Sequence, residues 1–243
     1  MKASGPEPGE VTPRSSHHAR QPLRLAPATT EEGRLALEEF IRKRFAERYG
    51  ANVRHFMPRL FGLESPDGAL HAAVGCRSAS EQPLFLERYL ADGIEHAIRE
   101  RCATRVSRPE IVEVGNLATR RPATARLLIV ELAWVLSAQG FRWVAFTATP
   151  SLLNSFVRLG LTPTLIGPAD PARLGDERCD WGSYYDSRPQ IVVGEILQGC
   201  RPHRRGTDPL AIAPDAQAMA PPSQRADCVL RSAIADPSHA ASL

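Results

Sequence analysis

Glu113-Val-Gly-Asn-Leu-Ala-Thr-Arg-Arg-Pro-Ala-Thr-Ala-Arg126 carries a strand through a tight loop into a long helix. The strand reads from Ile111 to Leu117, just after Pro109. Alternation puts Glu113, Gly115 and Leu117 on one face, and Val112, Val114 and Asn116 on the other. Pro122 suits the first turn of the helix, and Gly140 suits its end, after Gln139. The first turn of such a helix leaves backbone N–H groups unpaired at a partly positive end, which favours a phosphate or a carboxylate. Ala123 and Ala125 are small enough for close approach, and Arg120, Arg121 and Arg126 add positive charge.

Working outward, strands are expected over Phe141–Thr147, Leu161–Gly167 and Ile191–Ile196, with a short helix from Ser151 to Leu159 stopped by Gly160. Upstream, Leu37, Ile41, Phe45 and Tyr49 recur at spacing four, the apolar face of a helix that Gly50 ends. Thr29 with Glu32 is the expected capping box. Two strands, Met57–Leu63 and Ala69–Cys76, flank the turn residues Ser65-Pro66-Asp67-Gly68 and read as a hairpin. Pro83–Leu90 leads into a second helix ending near Ala103. Early antiparallel strands followed by alternating helices and strands predict an α/β fold: a mixed sheet with helices on both faces.

Residues 1–26 and 201–243 are rich in proline and lack hydrophobic periodicity, so they read as disordered tails around one domain over 27–200, with a short helix near Val229–Ala235. The formal charge of +3 lies in those tails; residues 27–200 hold 21 basic and 21 acidic side chains. A neutral folded region argues against a nucleic-acid partner. The five cysteines form no C-x-x-C pair, and no metal-ligand spacing occurs, so no metal is expected. His55 and His71 read as satisfied histidines on apolar strands. There is no G-x-S-x-G elbow. No apolar run is long enough to span a bilayer, and Met1–Arg20 has no h-region, so a cytoplasmic location is expected.

Arg120-x-x-Ala123-x-Ala125 resembles the loop by which GCN5-related acetyltransferases hold the pyrophosphate of coenzyme A. Pro150–Leu161, PSLLNSFVRLGL, looks like a later helix of the same fold. Many members have a tyrosine at the place of Phe156, acting as general acid toward the thiolate; Phe156 has no hydroxyl. HFMPRLFGL (His55–Leu63), FLERYL (Phe85–Leu90), EVGNLA (Glu113–Ala118) and WGSYYDSRP (Trp181–Pro189), in this order, together resemble the bacterial thermostable hemolysin family over roughly residues 30–197. That family is similar to acetyltransferases and to the acyl-homoserine-lactone synthases that make autoinducers.

The resemblance implies an acetyltransferase-like fold and an N-acyltransferase. It would move an acyl group from acyl-coenzyme A or acyl-carrier protein to a small amine, with no metal. The implied donor site is Leu117, Ala118, Thr119, Arg120, Arg121, Ala123, Thr124, Ala125, Arg126 and Asn154. Glu113 either accepts a proton from the amine or pairs with an arginine. Tyr184 or Tyr185 can replace the acid that Phe156 lacks. Glu87, Arg88, Asn116 and Trp181 are candidate acceptor-site residues, although an ion pair anchoring the next helix is the favoured reading of Glu87 and Arg88. Two other functions stand beside this one: a membrane-active hemolysin, and a non-catalytic module binding acyl-coenzyme A-like ligands.

Overall fold

The computed structural model describes residues 22–158, 160–161, 163–198 and 228–230. Strand β1 (Arg24–Pro27) is followed by helix α1 (Glu31–Tyr49), the hairpin β2 (Arg59–Glu64) and β3 (Leu70–Ser78), and helix α2 (Ile94–Cys102). Strand β4 (Ile111–Thr119), helix α3 (Pro122–Ala138), β5 (Trp143–Ala148), α4 (Pro150–Arg158), β6 (Thr164–Pro168) and β7 (Gln190–Gln198) then alternate, and β8 (Cys228–Leu230) follows. Short 3-10 turns lie at Phe85–Tyr89, Pro171–Trp181 and Tyr184–Ser187.

The strands form one sheet in the order β1-β2-β3-β4-β5-β7-β6, with β8 on β7. All neighbours are antiparallel except β4 and β5, which run parallel because the α3 crossover joins them. The fold is thus the expected α/β class, with a mixed sheet and helices on both faces. Leu128, Leu132 and Leu136 of α3 and Phe156 of α4 pack on one face against Val74, Val112, Val144, Phe146 and Val192. On the other face, Ile94 and Ile98 of α2 pack against Ile111, Ala145 and Val193, while Leu37, Ile41 and Phe45 of α1 meet Leu60 and Ala73. Each fully buried leucine or isoleucine contributes about 1.5–3 kcal/mol to this arrangement.

Three expectations are corrected. The cap of α1 is Thr30, not Thr29: its hydroxyl accepts the N–H of Gly33. Residues 24–26, read as tail, belong to β1, whose four residues pair with Phe61–Glu64 and bury Leu25. Cys228–Leu230 forms a strand on β7 where a helix from Val229 was expected. The readings of residues 1–21, 201–227 and 231–243 as tail lie outside the described residues.

Candidate active site

The pairing of β4 with β5 covers only Ile111–Glu113 against Trp143–Ala145. Beyond that point β4 continues to Thr119 paired with β3 alone, and β5 to Ala148 paired with β7 alone. The two strands part into a wedge, so the facing backbone edge of each is left without a strand partner. A bulge in β4 accompanies the parting. Asn116 adopts a left-handed conformation, φ 52°, and the register against β3 slips between Gly75↔Gly115 and Ala73↔Ala118.

Long-range contacts hold the bulge. Oδ1 of Asn116 accepts the N–H of Met57 at 2.8 Å, and its Nδ2 donates to the carbonyl of His55 at 3.4 Å. Met57 itself lies over the paired glycines Gly75 and Gly115, where an added Cβ would stand 2.5 Å from Met57 carbons. The extra residue reverses the alternation after it. Leu117 packs with Val114 on the α3 side of the sheet, not with Glu113 as the regular strand pattern predicted.

The wedge opens a cavity of about 410 Å³ that reaches both faces of the sheet. At one end it meets the start of α3. Arg121 is the cap residue, no side chain caps the exposed first turn, and no acidic residue lies in it. By contrast, α1 has both a threonine cap and two acidic first-turn residues. Leu117, Ala118, Thr119, Arg120, Pro122 and Ala125 line the cavity here. Arg121, Ala123 and Arg126 are exposed beside it, and Thr124 is half-buried. The guanidinium of Arg120 lies over the Phe40 ring, 5.9 Å from its centroid. Asn154 stands on the exposed side of α4; Ser151 and Ser155 of that helix face the cavity instead.

Glu113 is in the cavity wall although only 3% exposed. Its Oε2 accepts the N–H of Phe85 at 2.7 Å, and its Oε1 that of Leu86 at 2.9 Å. Burial penalises the carboxylate and pushes its pKa up to about 7, against the opposing pull of those amides and of Arg77. Arg77 is its cross-strand neighbour on β3, and anchors the same segment by donating to the Pro83 carbonyl at 3.1 Å. Glu113 therefore forms no ion pair with the arginines of the α3 loop.

On the α1 face the cavity is walled by aromatic rings. Trp181 and Tyr184 pack against Phe45, Tyr49 and Phe85 at centroid distances of 5.3–6.5 Å, and Tyr185 packs edge-on against Trp181 and Tyr184 at 6.3 and 5.1 Å. The Tyr184 hydroxyl lies 3.2 Å from Oγ1 of Thr147, on the β5 side of the wedge. That of Tyr185 lies 2.5 Å from the Tyr89 hydroxyl. Burial raises both phenols, Tyr185 to about 12, so both are protonated near neutrality.

Glu87 and Arg88 are turned away from the cavity. Glu87 accepts from the backbone of Leu84 and Ile94 and pairs with Arg108 at 2.6 Å; burial works against its charge, but these partners outweigh it and hold the carboxyl below its ordinary range. Arg88 pairs with Glu177 at 2.5 Å. Glu87 is thus tied to the start of α2, as the ion-pair reading expected, whereas Arg88 is tied to the Pro171–Trp181 turn. His55 is exposed in the loop before β2 rather than on a strand, and it lines the cavity, as do Arg77 and Thr147. None of these three was singled out for the site in the sequence; only the His55–Leu63 motif signalled that its segment mattered. His71 meets Ser65 at 3.1 Å. Among the described residues no group of His, Cys, Asp or Glu could hold a metal ion, and no helix is long and apolar enough to cross a membrane.

The family model for thermostable hemolysin matches residues 28–200, which include every element of this site. The chain belongs to the thermostable hemolysin family. No curated protein matches it. Among solved structures it is similar to FeeM, an N-acyl amino acid synthase from uncultured soil microbes, with 16% identity, 70% of this chain and 89% of that one covered, and a TM-score of 0.49. It is similar also to the acyl-homoserine-lactone synthase LasI, with 12% identity, coverage of 71% and 88%, and a TM-score of 0.47. For MesI, a CoA-dependent acyl-homoserine lactone synthase, the values are 14%, 70%, 86% and 0.38. At these scores the likeness assigns no activity to this member of the family.

Proposed function

We propose that this thermostable hemolysin family member is an N-acyltransferase that moves an acyl group from acyl-coenzyme A or acyl-carrier protein to a small amine. One observation carries the reading: a single cavity joins an uncapped, exposed helix start to a buried carboxylate by way of an open strand edge. The helix start suits the phosphates of the donor. The unpaired edge of β4 suits the amide-rich arm that follows them and can hydrogen-bond the thioester oxygen as charge develops on it.

The aromatic compartment on the α1 face then takes the amine. Glu113 accepts the amine proton, directly or through a water, as the C–N bond forms. The C–S bond breaks and the thiolate leaves toward β5, where the Tyr184 hydroxyl donates a hydrogen bond. The proton released by the amine completes the thiol, so the step balances without a further reactant. Tyr185, tied to Tyr89, shapes the acceptor wall.

Calorimetry with acyl-coenzyme A and acyl-carrier protein tests the reading. The native protein is expected to bind one of them, and Arg120→Ala to bind it more weakly in a salt-dependent way. If the native protein binds neither donor, the reading is wrong. Leakage of dye from liposomes by pure protein, with no donor present, would favour lysis instead.

A further inference from the structure

The short Phe85–Tyr89 turn brings two groups to the α1 side of the cavity. At its start, the N–H groups of Phe85 and Leu86 hold the carboxylate of Glu113. At its end, the hydroxyl of Tyr89 meets that of Tyr185, from the separate Tyr184–Ser187 turn, at 2.5 Å. Three residues of 3-10 turn, roughly 6 Å of rise, separate Leu86 from Tyr89 along the backbone. Glu113, Tyr89 and Tyr185 all line the cavity.

Two phenols own two O–H groups, and the contact between them consumes one. The other has no acceptor among the described residues. Tyr89 is only 7% exposed, whereas Tyr185 is half-buried. With Tyr89 donating inward to Tyr185, the unspent proton is the one on Tyr185, at the more open position. Burial raises both phenols, so neither loses its proton near neutrality. Water or a ligand oxygen completes this donor, and a ligand without oxygen leaves it unmet. The rings of Phe85 and Trp181 pack beside the pair, at 6.1 Å from Tyr89 and 6.3 Å from Tyr185, which makes it a polar point in a ring-lined wall. Such points fix the orientation of a bound molecule. Arg48, exposed on the same side of the cavity, has no ion pair among the described residues; its Nε donates to the Tyr49 hydroxyl at 2.9 Å. Its charge favours a ligand oxygen that is itself negative.

We infer that Tyr185 is a specificity-determining residue for the acceptor: its hydroxyl donates to an oxygen, of a carboxylate or an amide, that the amine carries close to its nitrogen. The inference rests on the acyltransferase reading and adds the chemical class of its acceptor. The nitrogen then lies toward Glu113, the oxygen toward Tyr185 and the rest of the molecule against the rings. Tyr89 acts through Tyr185 and is a positioning residue.

Thiol release from whichever donor calorimetry finds bound, followed on the full chain with leucine, leucinamide and isopentylamine at equal concentrations of unprotonated amine, tests it. The three share one side chain and differ in bearing a carboxylate, an amide or no oxygen. The native protein is expected to use at least one oxygen-bearing amine tenfold or more better than isopentylamine, in kcat/KM. The order of leucine and leucinamide tells whether the oxygen is charged. Tyr185→Phe should shrink that ratio about tenfold, and Tyr89→Phe by less. General damage lowers all three rates together and leaves the ratio unmoved. Thermal melts report folding, and if Tyr185→Phe does not fold, Tyr89→Phe must shrink the ratio in its place. Equal use of all three amines by the native protein, or the native ratio retained by folded Tyr185→Phe, overturns the acceptor contact while leaving the acyltransferase reading standing. No amine-dependent thiol release with any of the three overturns both.

Discussion

Glu113 is a carboxyl group held where its charged form is penalised, and two measurable consequences follow. As the base, it must be ionised to take the amine proton, so turnover is expected to rise through about pH 7. Glu113→Gln removes that limb of the profile and lowers the rate by about 10²- to 10⁴-fold; a variant that keeps the same pH midpoint would show that another group is titrating. Stability runs the opposite way. With its folded pKa raised from about 4.5 to about 7, this group favours folding fully below the unfolded value and loses that contribution as pH rises through the folded one. The loss is about 3 kcal/mol. Urea denaturation of the native protein, measured relative to Glu113→Gln, is therefore expected to show declining stability between pH 4.5 and 7. A difference that is flat across that window would rule out the buried titration. The sequence singled out Glu113 because it stands on the strand entering an anion-favouring helix start. It gave no sign that Phe85 and Leu86 would grip the carboxylate, because those amides lie 28 and 27 residues away in the chain.

The elements most legible in the sequence were those that local chemistry determines. Gly50 ends α1 in a left-handed conformation, Pro122 starts α3, and the Ser65–Gly68 turn joins β2 to β3, all as read. The bulge in β4 was not legible, since Glu-Val-Gly-Asn-Leu-Ala alternates as a regular strand should. What bends it is Met57, held by Asn116 and seated on two glycines from neighbouring strands. Those glycines are expected to differ in tolerance. A Cβ at Gly115 would meet the terminal methyl of Met57, a flexible end that can move aside; one at Gly75 would meet Met57 Cβ and Cγ and a Leu60 methyl. Gly75→Ala should thus cost about 1–3 kcal/mol by overpacking and Gly115→Ala less, as measured by urea midpoints. Asn116→Ala should cost a further kind of energy, about 1–3 kcal/mol from stranded backbone groups. Asn116→Gly should lose the same hydrogen bonds but relieve the left-handed backbone strain, and so cost less than Asn116→Ala. If Gly75→Ala and Gly115→Ala are equally mild, Met57 does not set the bulge.

At the scale of the whole molecule, two halves of the chain close one site. The donor end is built from β4 and α3, consecutive in sequence, and was legible there as a strand–loop–helix junction. The aromatic wall depends on a segment from beyond residue 180 docking on the end of α1, which no local pattern announces. Ser183 donates to the Tyr49 carbonyl through both its N–H, at 2.8 Å, and its hydroxyl, at 3.2 Å, while Asn52 donates to the Asp180 carbonyl at 2.6 Å. Gly182, within the Trp181–Pro189 motif, makes this approach possible. Its φ of 52° with ψ of −131° is open only to glycine, and a Cβ there would stand 2.1 Å from the Tyr49 carbonyl oxygen, which is backbone and cannot yield. Gly182→Ala is therefore expected to lift Trp181 and Tyr184 from Phe45 and Tyr49 while leaving the sheet intact. Near-ultraviolet circular dichroism should lose aromatic intensity with little change in the far ultraviolet, and affinity for the acyl donor should change much less than turnover. If the near-ultraviolet spectrum and turnover both survive the substitution, the acceptor wall does not depend on this docking, and the amine must bind elsewhere along the wedge.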